Sequence, residues 1–405
     1  MAIVNPFKAL RPQPQFAPKV ASRPYDVLNS LEAKIEARGN PHSFLHITKS
    51  EIDLPDKTDI HSQEVYDRAK QNLHAFMQRG VLFREDKSCF YIYQLIMNGK
   101  SQTGLVGVSS IDDYEKNIIK KHEFTRPEKE LDRINHIKTT RAQTGNVFLA
   151  YRNVSDIDEV INNWKSSHDP VYDFKAEDGV NHTIWVINSD QINNKLKNLF
   201  KEKVPSTYIA DGHHRAASAA KVRLQVEENY FLTTLFPANE LKILDYNRVV
   251  KDLNGLEPGQ FLEKLRNDFD VSETGEAVAP SKLHEFGMYL KNKWYRLIAK
   301  PDSYNDSDPI GVLDVTILSD NILEKLLGIA DQRTDKRIDF IGGIRGLAEL
   351  EKRVNNGEMA VAFSLFPVSI EQLFNIADSG NVMPPKSTWF EPKLRDGLLT
   401  HLTSE

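Results

Sequence analysis

A short polar motif stands between an apolar stretch and an Ala-rich one: residues 208–210 are Tyr-Ile-Ala, residues 216–225 favour helix, and between them lies Asp211-Gly212-His213-His214-Arg215. The motif is therefore predicted to lie at a strand-to-helix junction. A helix N-terminus presents N–H groups without intrahelical partners and a partial positive charge, so it attracts anions. Gly212 would let the backbone approach an anion closely. Arg215 could donate to two of its oxygens. With His213 and His214 as further donors, these residue types predict a phosphate-binding site.

Two other interpretations of this motif stay open. Asp211 could act only as a helix N-cap, with Arg215 paired to a nearby carboxylate. Adjacent histidines could also bind a metal ion. However, His213 and His214 point in different directions on a helix, so both cannot easily face one ion. No metal ligand is assigned from the sequence.

A second polar segment, residues 120–126, carries His122 and Glu123 and precedes a predicted helix. Thr125-Arg126-Pro127-Glu128 is typical of a helix start, and the helix is predicted to extend to about residue 144. A loop carboxylate beside several cations is expected to stay ionised, so Glu123 could accept a proton from a hydroxyl. The alternative for the helix face that carries Arg133 is a solvated charge ladder.

A third segment, residues 383–393, is framed by prolines and carries Lys386, Ser387 and Thr388. Its lysines and hydroxyls could hold a phosphate or a carboxylate, or the segment could be a lid without ligand contacts. The chain has no Walker A motif. The glycine-rich run at residues 342–346 lacks the required lysine and spacing.

Length and composition limit the class of protein. A chain of 405 residues predicts two domains, taken here as 1–250, with a proline-rich surface arm at residues 1–25, and 251–405, whose 383–393 loop could close on the site. A net charge of −5 argues against binding to nucleic acid. The sequence contains no apolar run of about eighteen residues, so no membrane span is predicted. No signal peptide is recognised either, and a cytoplasmic protein is expected. The single cysteine excludes an intramolecular disulfide.

The order of predicted elements is mixed and does not alternate strictly, which favours an α+β fold over a doubly wound one. Strands are predicted at 43–48, 89–97, 104–108, 148–151, 171–174 and 183–187, and helices at 63–77, 155–166 and 189–202. The region after 250 is predicted to hold helices at 257–268, 314–327, 344–355 and 369–378, and strands near 285–300, 336–341 and 359–365.

Five motifs in this order resemble a bacterial family described as domain of unknown function 1015. They are Pro6-Phe7-Lys8-Ala9-Leu10-Arg11-Pro12, Pro24-Tyr25-Asp26-Val27, Lys121-His122-Glu123, the Asp211–Arg215 motif and Pro385-Lys386-Ser387-Thr388-Trp389-Phe390. That family is related in its nucleotide-site region to the ParB/sulfiredoxin-like fold and to the free serine kinases that use it. The resemblance implies a ParB/sulfiredoxin-like mixed sheet in which Asp211–Arg215 holds nucleotide phosphates. Sulfiredoxins have a reactive cysteine where this motif has histidine, so sulfinic acid reduction is not expected.

The resemblance implies a kinase that transfers a phosphoryl group from ATP or ADP to the hydroxyl of free L-serine, giving O-phosphoserine. It implies catalytic roles for Glu123, His122 and Asp211, contacts to phosphate or carboxylate from Gly212, His213, His214, Arg215, Arg126, Arg133, Lys386, Ser387 and Thr388, and Mg²⁺ bridging phosphate oxygens. The competing hypotheses are a ParB-like regulator that binds a nucleotide without turning it over, a phosphate-handling enzyme with another acceptor, and an inactive scaffold. The donor and the oligomeric state stay open.

Overall fold

The chain forms two compact units in the computed structural model, which describes residues 1–384 and 386–403. The first unit comprises Met1–Leu241 and the residues from Pro392 onward, and the second comprises Lys242–Glu391. The predicted division at residue 250 differs from these units, because the last part of the chain belongs with the first unit. Within the described residues, every helix is too short or too polar to cross a membrane.

The main sheet of the first unit is mixed. Its unit contains the strands β1 (Val4–Asn5), β2 (Leu10–Pro12), β3 (Leu82–Arg84), β4 (Phe90–Met97), β5 (Lys100–Ser110), β6 (Ile119–Lys120), β7 (Ala142–Gln143), β8 (Val147–Tyr151), β9 (Tyr172–Lys175), β10 (Asn181–Ile187), β11 (Thr207–Asp211) and β12 (Tyr230–Pro237). The strand order is β6-β11-β8-β12-β5-β4-β10-β9, with β1 also on β5. The pairs β6–β11 and β8–β12 are parallel, and the other neighbours are antiparallel. This mixture confirms the predicted α+β class.

Helices cover the sheet and bury its apolar side chains. They are α1 (Ala17–Val20), α2 (Ser30–Glu36), α3 (Leu45–Thr48), α4 (Gln63–Gln78), α5 (Ile111–Glu115), α6 (Pro127–Thr140), α7 (Ser155–Ser167), α8 (Asp190–Lys203) and α9 (His213–Val226). Leu149 from the sheet and Trp164 and Phe200 from α7 and α8 belong to one buried cluster. The predicted helices at 63–77, 155–166 and 189–202 are confirmed, because each repeats apolar residues at helical spacing toward a buried cluster. Helices α7 and α8 face this cluster, and α4 faces a separate one through Leu73 and Phe76.

Two local predictions in the first unit are wrong. Residues 43–48 were predicted as a strand, but Leu45–Thr48 is a single helical turn, since Phe44, Leu45 and Ile47 are all buried and the run has no alternation. The N-terminal arm does not lie on the surface. β1 pairs with β5 and β2 with β3, and prolines are tolerated there because edge positions need no N–H donor.

The second unit is built on an antiparallel sheet in the order β15-β17-β16-β19-β14-β18. Its strands are β13 (Ile243–Leu244), β14 (Tyr246–Val250), β15 (Phe269–Thr274), β16 (Glu285–Leu290), β17 (Lys293–Ala299), β18 (Ile338–Gly342), β19 (Val361–Leu365) and β20 (Trp389–Phe390), and its helices are α10 (Pro258–Leu265), α11 (Asp314–Leu318), α12 (Gly346–Asn355) and α13 (Ile370–Asp378). Phe261, Phe286 and Phe363 lie in its buried core.

The C-terminal segment is held in the first unit by backbone hydrogen bonds. Ser22 and Asp396 exchange two, of 3.1 and 2.9 Å, and Leu10 and Thr400 exchange another two, each of 2.9 Å. The strand β21 (His401–Leu402) pairs with β7. The end of the chain is therefore placed beside the elements that carry the sequence motifs.

Candidate functional site

Helices α6 and α9 lie side by side and run in the same direction. At their starts, the Arg126 N–H donates to His214 Nε2 at 2.9 Å. Further along, Ser218 Oγ donates to the Glu130 carbonyl at 3.1 Å. At their ends, Arg141 donates to the Gln225 carbonyl at 3.2 Å. Both N-termini therefore meet at one point, where their partial positive charges add to attract an anion.

The two histidines of the motif hold the segment that precedes α6. His213 Nε2 accepts the His122 backbone N–H at 3.4 Å, as His214 Nε2 accepts that of Arg126. Burial is the main cause that lowers the pKa of both rings, so both are neutral at neutral pH. Because each Nε2 is an acceptor, the ring proton lies on Nδ1. The two hydrogen bonds thus hold residues 122–126 in place, and each of the two histidine rings keeps an Nδ1–H donor.

Glu123 lies on this fastened segment, at the junction of the two helices. Its Oε2 is 3.8 Å from His213 Nδ1, and its side chain is 45% exposed, so it is open to a ligand from solvent. His122, directly before it, is buried edge-on against His213 with ring centroids 4.6 Å apart. Burial lowers the pKa of His122 to about 4, so its ring is neutral and acts as a support rather than a charged group.

Arg215 points into the unit. Its guanidinium donates to the Asn146 carbonyl and to Asp26 at 3.1 Å, and lies 3.5 Å from Asp211. Burial opposes its charge, but Asp26 and Asp211 outweigh burial and raise its pKa. A Cβ on Gly212, whose φ is 97°, would stand only 3.2 Å from this guanidinium. Gly212 therefore accommodates Arg215 as well as the turn, and a phosphate would have to compete with three existing partners for Arg215.

Asp211 is an ion-pair partner rather than the N-cap of α9, a position that Gly212 occupies. Lys393 Nζ donates to its Oδ2 at 3.1 Å, which adds a second cation besides Arg215. Burial alone would raise the pKa of Asp211, but Lys393 and Arg215 outweigh it and lower that pKa. The pairing of Arg215 with nearby carboxylates, left open by the sequence, is thus what the structure has.

The two other candidate arginines differ in their surroundings. Arg126, at the N-cap of α6, is exposed at the helix junction. Arg133 is buried, donates to Asp132 at 2.8 Å and stacks over the Tyr25 ring at 3.9 Å. Only Arg126 therefore has a side chain free to reach a ligand in solvent.

Lys386, Ser387 and Thr388 belong to the second unit, and their contacts to the nucleotide site stay a prediction. The Lys386 ammonium lies 5.7 Å from the centre of the Tyr246 ring, and its carbonyl accepts from Arg248 at 3.0 Å. Ser387 Oγ donates to the Pro384 carbonyl at 2.6 Å. Pro385, quoted in the same motif, lies outside the described residues.

Among the described residues, no three His, Cys, Asp or Glu side chains form a group that could hold a metal ion. One or two carboxylates at the helix junction are still enough for Mg²⁺ carried by a nucleotide, because that ion takes most of its ligands from phosphates and water and as few as one carboxylate from protein. Glu123 and Asp211 are the carboxylates at the helix junction, and Asp211 already has two cationic partners.

Four residues of this region escaped the sequence-based assignment of roles: Asp26, Asn146, Lys393 and Asp396. Asp26 and Lys393 did lie in quoted motifs, so their neighbourhood carried a signal. Asn146 contributes a carbonyl, which no side-chain pattern reveals. Asp396 is 2% exposed, and burial raises its pKa to about 8, yet nothing in its local sequence distinguishes it.

Solved structures similar to this chain share little sequence with it. A conserved hypothetical protein from Pyrococcus furiosus is 15% identical, with 73% of this chain and 94% of that chain covered and a TM-score of 0.37. A free serine kinase in complex with AMP is 14% identical, with 76% and 92% covered and a TM-score of 0.36. SbnI with a C-terminal truncation, from Staphylococcus aureus, is 10% identical, with 72% and 85% covered and a TM-score of 0.37. Similarities at this level carry no argument about activity.

No curated protein matches the chain. A family model does match it, over residues 4–316, which is more than half of its length. That range contains β1 to β12 and all of α1 to α9, including the helix junction. The chain therefore belongs to the family described as "Protein of unknown function (DUF1015)".

Proposed function

We propose that the protein is a small-molecule kinase that transfers a phosphoryl group from a nucleotide to the hydroxyl of free L-serine. The observation that carries the proposal is the meeting of the α6 and α9 N-termini beside the carboxylate of Glu123. Such a junction combines an anion site with an acceptor of protons, which are the two elements that phosphoryl transfer to a hydroxyl needs.

The donor phosphates bind at the helix junction. The first-turn N–H groups of α9, the Glu128 N–H of α6 and the Nδ1–H group of the neutral His214 ring are donors to phosphate oxygens. The exposed Arg126 and the ammonium of Lys393 add positive charge. Arg215 acts mainly by holding Asp26 and Asp211 in place, because its guanidinium is already bonded to protein oxygens.

Glu123 is the general base. Its carboxylate accepts the proton of the serine hydroxyl while the hydroxyl oxygen bonds to the phosphorus and the bond to the leaving phosphate oxygen breaks. The Nδ1–H of the neutral His213 ring lies 3.8 Å from that carboxylate and faces it as a donor. Bound Mg²⁺ would supply charge neutralisation on the phosphates, and Glu123 or Asp211 would be its protein ligand.

The sequence resemblance to the free serine kinases supports L-serine as the acceptor and a nucleotide as the donor. The geometry supports an anion site next to a base. A nucleotide in the site agrees with the cytoplasmic location expected from the sequence. Lys386, Ser387 and Thr388 stay in the proposal as contacts to the amino-acid carboxylate or to phosphate. Arg133 is buried and paired with Asp132, so we assign it a structural role.

The direct test is ³¹P NMR of the protein with L-serine and Mg²⁺, with ATP, ADP and pyrophosphate added in separate samples. We expect an O-phosphoserine signal with one donor. Glu123→Gln should reduce the initial rate by about 10²–10⁴-fold with nucleotide affinity retained, because general-base assistance has that magnitude. The matched control is Glu159→Gln, an exposed glutamate of α7 in the same unit, which should keep the wild-type rate.

Nucleotide binding without any phosphorylated product would overturn the kinase proposal and favour the regulator. Equal rates for Glu123→Gln and wild type would remove Glu123 from the mechanism while leaving a kinase in place. Product from a different hydroxyl compound would keep the reaction class and replace L-serine.

A further inference from the structure

The first unit contains a cavity of about 810 Å³ at the opposite end of the α6–α9 pair. Arg141, the C-cap of α6, and Val226 and Glu227 at the end of α9 line it. Since α9 has 14 residues, this cavity is about 20 Å from the helix junction at His213. Its volume lies in the range of small-molecule sites, and it is separate from the site proposed for phosphoryl transfer.

Cations line this cavity without matching anions. Lys8 and Arg84 both face it, and within the described part of the chain neither side chain has a hydrogen-bond or ion-pair partner. Arg141 donates to a backbone carbonyl, not to a carboxylate. On the acidic side, Glu228 is paired with His401 at 2.9 Å, which leaves Glu227 as the opposing charge.

Two buried polar atoms of the cavity walls lack partners among the described residues: Arg84 Nε and Thr403 Oγ1. Thr403 is 6% exposed. Buried donors of this kind are normally satisfied, by protein, by water or by a ligand. The partly exposed side chains of Lys8 and Arg84 provide an ammonium and a guanidinium, which suit the oxygens of an anion.

The motif Pro6–Pro12, which the proposed kinase reaction does not use, supplies one wall of the cavity through Pro6, Phe7 and Lys8. Phe7 is 4% exposed and stacks edge-on with Tyr91 and His401, with ring centroids 5.3 and 5.5 Å apart. This packing holds the neighbouring Lys8 at the cavity wall, so its cationic head is positioned by the fold.

We propose that this cavity binds a small, multiply charged anion, either a phosphate compound or a polycarboxylate, through Lys8, Arg84 and Arg141. The excess of positive charge disfavours a neutral ligand, and within the described residues the Lys8 ammonium and the Arg84 guanidinium have no carboxylate partner. The proposal does not depend on kinase activity.

The test is isothermal titration calorimetry of the full chain with pyrophosphate and, separately, with citrate. We expect binding of at least one anion, weakened about tenfold or more in Arg84→Gln, since a hydrogen bond to a charged group has that strength. Lys8→Gln, at a partly exposed position, should weaken it as well and serves if Arg84→Gln does not fold. The charge-matched control is Arg38→Gln, an exposed arginine of the same unit that does not line the cavity.

Preference for pyrophosphate over citrate would assign a phosphate compound, and the reverse a polycarboxylate. Equal loss in Arg84→Gln and Arg38→Gln would overturn the proposal, because the effect would then follow net charge alone. Pyrophosphate binding that is lost in His214→Ala but kept in Arg84→Gln and Lys8→Gln would also overturn it, and would leave the helix-junction site intact.

Discussion

The two ends of the α6–α9 pair differ in whether their charged side chains have ion-pair partners. At the N-terminal end, Arg215 and Lys393 are paired with Asp26 and Asp211, and both histidine rings are neutral. At the C-terminal end, Lys8 and Arg84 line a wide cavity, and within the described residues neither has a carboxylate partner. One end is therefore organised before any ligand arrives, and the other end keeps its charges available for one.

This difference has a physical consequence for substitutions. Removing one member of a buried charge network leaves its partners unpaired in a medium of low polarity, which strongly destabilises the fold. Removing an unpaired cation at a solvent-filled cavity leaves no partner behind. Stability and binding should thus separate between the two ends, and the following variants test that separation.

The largest effect is expected from Arg215→Ala. It leaves the partly buried Asp26 and Asp211 without the buried cation they share, so the free energy of unfolding should fall by about 3–5 kcal/mol. Urea unfolding would measure it, with Arg38→Ala, at an exposed position, expected within about 0.5 kcal/mol of wild type. A loss below 1 kcal/mol for Arg215→Ala would show that the network contributes little.

Lys393 and Lys386 provide a matched pair for nucleotide affinity. Lys393→Met should weaken nucleotide binding by about ten- to a hundredfold, because its ammonium lies on Asp211 directly before the phosphate-binding turn. Lys386→Met should have the smaller effect, since that ammonium lies over the Tyr246 ring. Calorimetric titration with ATP measures both. A larger loss in Lys386→Met would instead support closure of residues 383–393 over the site.

The titration of Asp396 should be visible in the pH dependence of the free energy of unfolding. Burial raises its pKa to about 8, whereas an unfolded aspartate titrates near pH 4, so between these values the folded state binds the extra proton. The stability that this bound proton contributes is fully present below the pKa of the unfolded aspartate, and it is lost as the pH rises through 8. Between pH 6.5 and 8 the free energy of unfolding should fall by about 1.5 kcal/mol.

Asp396→Asn is the control for that loss, because the amide has a similar shape and does not titrate. In this variant the Asp396 contribution to the fall should disappear, leaving only the smaller fall from Asp314, whose pKa burial raises to about 7. His122 cannot cause the slope, since burial lowers its pKa to about 4 and its contribution is complete once the unfolded ring is neutral, above about pH 6.5. A slope of equal size in Asp396→Asn would assign it to another group.

The smallest effect is expected at the cavity. Arg84→Gln should change the free energy of unfolding by less than about 1 kcal/mol, because its guanidinium has no carboxylate partner to leave behind. The same variant should still lose anion affinity. A destabilisation comparable to that of Arg215→Ala would mean that the two ends do not differ as described.

Much of the local structure was predictable. The strand β11, the turn at Gly212 and the helix α9 follow from an apolar run, a glycine and an Ala-rich stretch, and the start of α6 follows from Pro127. Residues 43–48 and the N-terminal arm were not, because a short apolar run has no periodicity that separates a helical turn from a strand, and prolines are compatible with edge strands.

The sequence predicted which residues belong to the site better than it predicted how they are arranged. The motifs at 122–126 and 211–215 were expected to contribute, and the structure brings them together. The inward direction of Arg215 was not predictable, because its partners Asp26 and Asn146 lie 189 and 69 residues away in the chain. The same reason applies to Lys393, which is 182 residues from Asp211.

The sequence by itself determined the α+β class, the strand-to-helix junction and the residue types of an anion site, because these depend on neighbours within a few turns of chain. Only the tertiary structure decided that α6 and α9 run in parallel, which histidine nitrogen accepts a hydrogen bond and which arginine is held in ion pairs. Those outcomes depend on burial and on charges supplied from distant residues, and no local pattern encodes either.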